Sequence, residues 1–178
     1  MKTATDTASA PAATNPAEAD ANTPPAHGEY WPGQGGIYIY TMAASLGLPA
    51  RHLIAAAADA DNQDLIYGPY IDVPGATSQL NGPANTDALI AAGDDHTAAA
   101  WARSYTADGH IDFHLPSRVD LLMAYAHTPK HFNTEGWYLS STQTSRNGAF
   151  VQDFADGYSG WLLKDLERRV RAFRWIQL

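Results

Sequence analysis

Large hydrophobic side chains are missing from the beginning of the chain and become frequent only from Tyr30 onward. Residues 3–28 are mainly Ala, Thr, Pro and Asn with a few acidic residues, and Pro11 and Pro16 disfavour a helix there. A segment of this composition buries too little apolar surface to offset the entropy lost on ordering. We therefore expect residues 1–28 to form an extended arm that lies on a partner protein, and residues 29–178 to form one domain.

The first half of that domain carries strand patterns separated by turn residues. Residues 37–42 read IYIYTM and follow a turn rich in Pro and Gly, so they predict a strand. Residues 52–58 predict a second strand, although their alanines also suit a helix. The stretch 59–85 is rich in Asp, Asn, Gly and Pro, which predicts loops around a short extended piece at 65–70.

Two helices are predicted between these loops and residue 110. Both begin after side chains that commonly accept hydrogen bonds from the free backbone N–H groups of a first helical turn. The first runs to residue 92 after Asn85 or Thr86, and the second spans 96–105 after Asp94 or Asp95 and is ended by Gly109.

The rest of the chain predicts one further helix and then only strands. Ser117 is a typical N-cap residue. The apolar positions after it have helical spacing and are Val119, Leu122, Met123 and Ala126. Strands are predicted at 137–142, 149–154, 161–164 and 169–175, with a reverse turn at Asp156-Gly157. Two or three helices in a strand-rich frame, without regular alternation, indicate an α+β fold.

Four motifs occur in order: LPS at 115–117, WYLSST at 137–142, FADG at 154–157 and VRAFR at 170–174. Together with the opening GQGGIYIYTM, they resemble the Lcl C-terminal domain-like family of bacterial and phage domains, over about residues 28–178. The resemblance implies a C-type lectin-like fold with antiparallel sheets, two or three helices and long loops. It also implies that residues 37–42 pair near residues 169–175. Phe113-His114 and Leu139 depart from the pattern of many members, so surface details are not transferred.

Charge is distributed unevenly along the chain. The formal net charge is -8 and the pI is near 5.1, which argues against a general nucleic-acid binder. Five of the 11 basic residues nevertheless fall in the last 15 positions. We expect them to pair with acidic residues inside the domain, with an anion or nucleic-acid site as the alternative. These residues are Lys164, Arg168, Arg169, Arg171 and Arg174.

No segment indicates export or membrane insertion. The residues after Met1-Lys2 lack the apolar core of a signal peptide, and no apolar run approaches the length of a membrane span. The chain has no cysteine, which excludes disulfides and thiolate chemistry. We expect synthesis in the cytoplasm of the producing cell.

Three patterns suggest metal or catalytic chemistry, but each is incomplete. His110 and His114 are four residues apart without a helix face or an intervening glutamate, so we expect hydrogen-bonded histidines without a metal. Residues 59–64 alternate oxygen ligands but lack the glycine and the distal glutamate of a calcium loop. No glycine elbow surrounds the hydroxyls of residues 140–142, which we expect to bond to backbone. The sequence predicts no cofactor and no enzyme activity.

Aromatic side chains favour a binding function. The chain has five Trp and nine Tyr, which combine apolar area with a polar tip. In the fold implied by the resemblance, the loops between the late strands form an exposed face. The candidate ligand-binding residues on that face are Tyr138, Gln143, Arg146, Asn147, Tyr158 and Trp161, although Trp137 and Trp161 also suit a core.

The resemblance and the arm lead to one hypothesis and two alternatives. We expect a bacteriophage virion protein whose domain recognises a host-surface glycan or protein, while residues 1–28 anchor it to a tail or capsid protein. One alternative is a capsid decoration or head-fibre protein with a purely structural role, and the other is a bacterial adhesin-like domain. A homo-oligomer is expected on a symmetric particle.

Overall fold

The computed structural model describes residues 23–61 and 65–178, and the elements of this part form two antiparallel sheets and three α-helices. In chain order they are β1 (Tyr30–Trp31), β2 (Gly36–Met42), β3 (Arg51–Ala55), α1 (Gly82–Ala92), α2 (Thr97–Ser104), α3 (Arg118–His127), β4 (Trp137–Gln143), β5 (Gly148–Asp153), β6 (Ser159–Leu163) and β7 (Phe173–Gln177). Short 3-10 turns lie at Pro74–Ala76 and Pro129–His131. The predicted α+β class with antiparallel sheets is confirmed.

The first sheet has the order β1-β2-β3-β7. The expectation that residues 37–42 pair near the terminal strand is wrong, because β3 lies between them, with Tyr38 opposite Ile54 and Ile54 opposite Arg174. A tight turn closed by Ser45 and Leu48 folds β3 back onto β2. This local hairpin forms with little loop-closure entropy, and the terminal strand then occupies the free edge of β3.

The second sheet has the order β4-β5-β6 and confirms the three predicted strands before residue 165. The predicted strand 169–175 is only partly correct. Arg169 forms a parallel bridge with Tyr138 of β4, whereas β7 begins at Phe173 and belongs to the first sheet. The segment that precedes β7 thus passes from one sheet to the other.

The starts of the first two helices differ from the prediction. The Asn81 side chain, and neither Asn85 nor Thr86, caps α1 by accepting a hydrogen bond from the backbone of Ala84. Pro83 suits this first turn because it has no N–H to satisfy. Helix α2 follows His96 without a side-chain cap, so Asp94 and Asp95 do not cap it. It ends at Ser104, before Gly109.

Helix α3 begins where predicted but buries a different face. Ser117 accepts a hydrogen bond from the backbone of Asp120, and the Asp120 carboxylate accepts one from the backbone of Ser117. Both residues of this capping box are buried. The face of α3 that contains Asp120 therefore points inward, and Leu121 and Ala124 on it pack into the core between the sheets. The predicted positions Val119, Leu122 and Met123 are only half-buried, and Ala126 is exposed.

Helix α3 links the two sheets, since it packs against β2 of the first sheet and against β4 and β5 of the second. One apolar cluster lies around α3, with Leu121, Phe132 and Phe173 among its members, and a second lies around α1, α2 and the loop that contains Tyr67. No helix within the described ranges is long and apolar enough to cross a membrane. Of the proposed arm, residues 23–28 lie in the described part, and Gly28 donates a hydrogen bond to the backbone of Tyr38.

Candidate binding surface

Two large aromatic side chains of the second sheet and its turn are exposed to solvent. Tyr158 is 63% exposed and Trp161 is 61% exposed, more than any other aromatic residue in ranges 23–61 and 65–178. Half-buried Trp137 meets the Tyr158 ring edge-on, with 5.4 Å between the ring centroids. These three residues, with Val151 and Leu162, line a shallow recess of about 170 Å³. Exposed aromatic groups around an apolar recess are typical of binding sites.

The turn between β5 and β6 contains the predicted reverse turn at Asp156-Gly157, and its hydrogen bonds fix the backbone of Tyr158. The Asp156 carboxylate accepts a hydrogen bond from the backbone N–H of Tyr158 at 2.8 Å, and the Tyr158 carbonyl accepts one from Asp153. Gly157 adopts a φ of 81°, and a Cβ there would collide with Tyr125. A glycine is therefore needed at this position, both for its backbone conformation and for space.

Trp161 lies against the hairpin that joins β4 and β5. It is opposite Phe150 in the sheet, and its ring passes so close to Gly148 that a Cβ there would be 2.9 Å from Cε3. Arg146 and Asn147 are exposed in the same hairpin. The structure therefore brings four of the predicted residues, Arg146, Asn147, Tyr158 and Trp161, to one part of the surface of the second sheet. We call this group, together with Trp137, the aromatic surface.

Two predicted binding residues are buried and do not belong to this surface. Tyr138 is fully buried, donates a hydrogen bond to Asp59 at 2.6 Å and has its pKa raised, chiefly by burial. Gln143 is 9% exposed, and its side-chain oxygen accepts hydrogen bonds from Lys164 and from the backbone of Val73. Neither residue can be recognised as internal by alternation, because β4 is covered on both faces and buries residues 138–143 without a break.

Lys164 is a buried cation that directly follows β6. Its ammonium group donates to the Ile71 carbonyl at 2.7 Å and to Gln143 at 2.6 Å, and it lies 5.1 Å from the centre of the Tyr67 ring. Burial lowers the pKa of Lys164 from 10.5 to about 8, although the nearby Asp72 opposes this shift. A buried charge held mainly by neutral acceptors weakens the folded state.

We expect Lys164 to make stability rise with pH between about 8 and 10.5. Over this window the unfolded chain keeps a proton on Lys164 that the folded chain has released, so the free energy of unfolding increases as pH rises. Urea unfolding at several pH values checks this. The stability of wild type relative to Lys164→Met should increase across the window, with the exposed Lys130→Met as a control for charge removal. A constant difference would contradict the expected proton release.

Asp59 pairs with two of the five basic residues near the C-terminus, Arg169 and Arg171. Its carboxylate accepts from Arg171 at 2.6 Å and from the Tyr138 hydroxyl, and it lies 3.6 Å from Arg169. Arg174 pairs with Asp112 at 2.9 Å. The predicted internal pairing is confirmed for these three arginines. Asp59 is therefore engaged by cations, while residues 62–64 of the calcium-like pattern lie outside the described residues.

The hydroxyl run on β4 bonds to backbone, as expected. Ser140 donates to Phe150, Ser141 to Pro116 and Thr142 to Ser78, each through a carbonyl oxygen. All three side chains are buried, so none faces a substrate. Within residues 23–61 and 65–178, no group of three or more His, Cys, Asp or Glu side chains could hold a metal ion.

Sequence reasoning left the role of Trp137 open between core and surface, and the structure places it at the wall of the recess. Val151 and Leu162 were not predicted to line a site, because apolar residues of a strand carry no signal that distinguishes a recess from a core. No protein-family model matches this chain, and no curated protein matches it.

Proposed function

We propose that this chain is a binding module that recognises a ligand through the aromatic surface. The exposed pair Tyr158 and Trp161 is the observation that supports this most strongly, because two large exposed rings beside one recess form an apolar patch, and Trp and Tyr are frequent anchors of interfaces. The hydroxyl groups of residues 140–142 and the Asp59 carboxylate could suggest catalysis. They form internal hydrogen bonds and ion pairs instead. Binding of a flat apolar face, such as that of a sugar ring or a partner side chain, is the chemistry that fits these rings.

The C-type lectin-like fold and membership of the Lcl C-terminal domain-like family belong to the same proposal. The strands from both ends of the domain, β1, β2 and β7, share one sheet, and this is in keeping with that fold, as are the helices beside the sheets and the loop between β3 and α1. The motif LPS supports it as well, since Ser117 caps α3 in the way such a step into a helix would require.

The proposed setting is a bacteriophage particle in which the domain contacts the host surface. Residues 1–28 would attach the domain to a tail or capsid protein, and copies of the chain would assemble as a homo-oligomer. The second candidate is a capsid decoration protein. It would also be attached to the particle by residues 1–28, but it would have no ligand on the host. The fold alone does not decide between them, because one fold serves many functions.

Deleting residues 2–28 from the encoding gene tests the anchoring role. We expect the protein to remain folded, with only a small decrease in its unfolding temperature from the lost contacts of residues 23–28, but to disappear from purified particles. Normal incorporation would contradict anchoring by the arm. Competition separates the two candidates: an excess of purified full-length protein should reduce infection by a receptor-binding particle, whereas no reduction would favour decoration.

A further inference from the structure

The outer edge of β6 is an uncovered side of the second sheet. At the other side of this sheet β4 is covered, because Leu139 donates a hydrogen bond to the Arg169 carbonyl and Ser141 donates one to the Pro116 carbonyl. Among the strands of the described part, β6 pairs only with β5. A free sheet edge presents backbone N–H and C=O groups that form a template for another strand. The β6 edge is therefore a place where a further strand can add.

The hydrogen bonds to β5 show which residues of β6 direct their backbone outward. Asp153 donates to the Tyr158 carbonyl, and Lys164 donates to the Asn147 carbonyl. In an antiparallel ladder alternate residues turn both backbone groups toward the same neighbour, so the even-numbered residues of β6 face β5 as well. The residues that turn their backbone away from β5 are Ser159, Trp161 and Leu163.

These outward backbone groups are almost all unpaired within ranges 23–61 and 65–178. Only the Leu163 carbonyl is engaged, by the N–H of Leu166 at 3.4 Å. Large apolar side chains are exposed on the same strand, since Trp161 is 61% and Leu163 is 40% exposed. Charged residues and proline commonly prevent edge strands from pairing, and β6 contains neither. The β6 edge is thus apolar and unprotected over its five residues.

The β6 edge is complementary to a second copy of itself. In an antiparallel pair centred on Trp161, this residue meets its equivalent, and Ser159 meets Leu163 of the second copy. All of these residues direct their backbone outward, and each opposed pair exchanges two hydrogen bonds, so three pairs give about six. The chain has a net charge of -8, but no like charges are placed opposite each other, because β6 has no charged side chain.

The recess of about 170 Å³ beside β6 offers space for a side chain of the added strand. Gly160 and Leu162 both line it, and in this register Gly160 of one copy lies opposite Leu162 of the other. A Cβ at Gly160 would meet only the Tyr158 ring, at an ordinary contact distance of 3.4 Å, so the fold of one copy does not require a glycine there. Glycine within a strand often marks the close approach of another segment. Its missing side chain leaves space for the leucine of the second copy.

We infer that two copies of this chain pair antiparallel through β6 and form one continuous six-stranded sheet. The exposed parts of Tyr158, Trp161 and Leu163 amount to roughly 300–400 Å² per copy. Both copies together therefore bury less than the ~1,200 Å² of a stable specific interface, so the dimer is weak and depends on concentration. The pairing does not depend on the proposed recognition role, because association of the pure protein measures it without any ligand.

Sedimentation velocity of the full-length protein, from about 10 µM to about 1 mM, tests the pairing. Wild type should shift from monomer to dimer within this range. Ser159→Pro removes an outward N–H at the first residue of the strand, where proline is tolerated. It should weaken dimerisation about tenfold or more, since each dimer loses two hydrogen bonds. Ser159→Ala keeps the N–H and should dimerise within about threefold of wild type.

Thermal unfolding confirms that both variants are folded before they are compared. A monomer over the whole range for wild type would overturn the inference. Equal association of wild type and folded Ser159→Pro would overturn it too, because the contact would then lie elsewhere.

Disulfide formation between two single variants tests the register without disrupting the edge. The chain has no cysteine, so Ser159→Cys and Leu163→Cys each introduce the only thiol. In the paired dimer residues 159 and 163 of different copies are opposite, with about 5.5 Å between Cα atoms, which suits a disulfide. Two copies of the same variant hold their thiols more than about 13 Å apart.

Under mild oxidation we expect a covalent dimer in an equal mixture of the two cysteine variants and not in either variant alone. No covalent dimer in the mixture, or equal amounts in all three samples, would contradict the antiparallel pairing centred on Trp161.

Discussion

Replacing Asp59 with asparagine should destabilise the protein by about 3–5 kcal/mol, the cost of leaving a buried ion-pair partner alone. The substitution preserves size but removes the charge that Arg171 contacts at 2.6 Å. Arg171 is 5% exposed and lies over the Phe132 ring at 4.3 Å, so it cannot reach water without disturbing the core around α3. The measurement is the free energy of unfolding in urea.

Asp87→Asn is the matched control for this prediction. Asp87 also pairs with an arginine, Arg103, but its side chain is 67% exposed. Exposed ion pairs contribute little, and we expect a loss below about 1 kcal/mol. Equal losses for the two variants would show that Asp59 is not the central ion-pair residue that its contacts indicate.

The double variant Tyr158→Ala/Trp161→Ala should weaken ligand binding about a hundredfold or more. Aromatic anchors commonly contribute about 2 kcal/mol or more each to an interface, and two such losses exceed a factor of 100 in affinity. Stability should change little, because both rings are more than half exposed. Binding of labelled full-length protein to host cells, as a function of concentration, measures the effect.

Tyr30→Ala is the matched control, since Tyr30 is an aromatic residue 45% exposed on the first sheet. It should bind as wild type does. A loss of binding in this variant, or wild-type affinity in the double variant, would place the ligand elsewhere on the domain.

Local features of the fold could be predicted from the sequence because neighbouring residues determine them. The cap at Ser117, the turn at Asp156-Gly157 and the strands 137–142 and 149–154 all depend on interactions within a few positions. The position of β3 between β2 and β7 could not be predicted this way, since it depends on hydrogen bonds between β3 and β7, which are far apart in the sequence.

In the candidate site, too, the sequence placed some residues correctly and failed where contacts between distant residues decide burial. Tyr158 and Trp161 were placed correctly on a surface, whereas Tyr138 was not, although all three belong to aromatic strand or turn patterns. The difference lies in tertiary contacts: Tyr138 is covered by Phe132 and Phe154 and bonded to Asp59, a residue 79 positions away.

Saturation binding of the full-length protein to host cells tests most directly whether this domain is a recognition module. We expect the wild-type protein to bind saturably and to be displaced by excess unlabelled protein. The Tyr158→Ala/Trp161→Ala variant should not bind, and an excess of it should not displace the wild-type protein. Absence of saturable binding by the wild-type protein, or equal binding by the folded double variant, would contradict it.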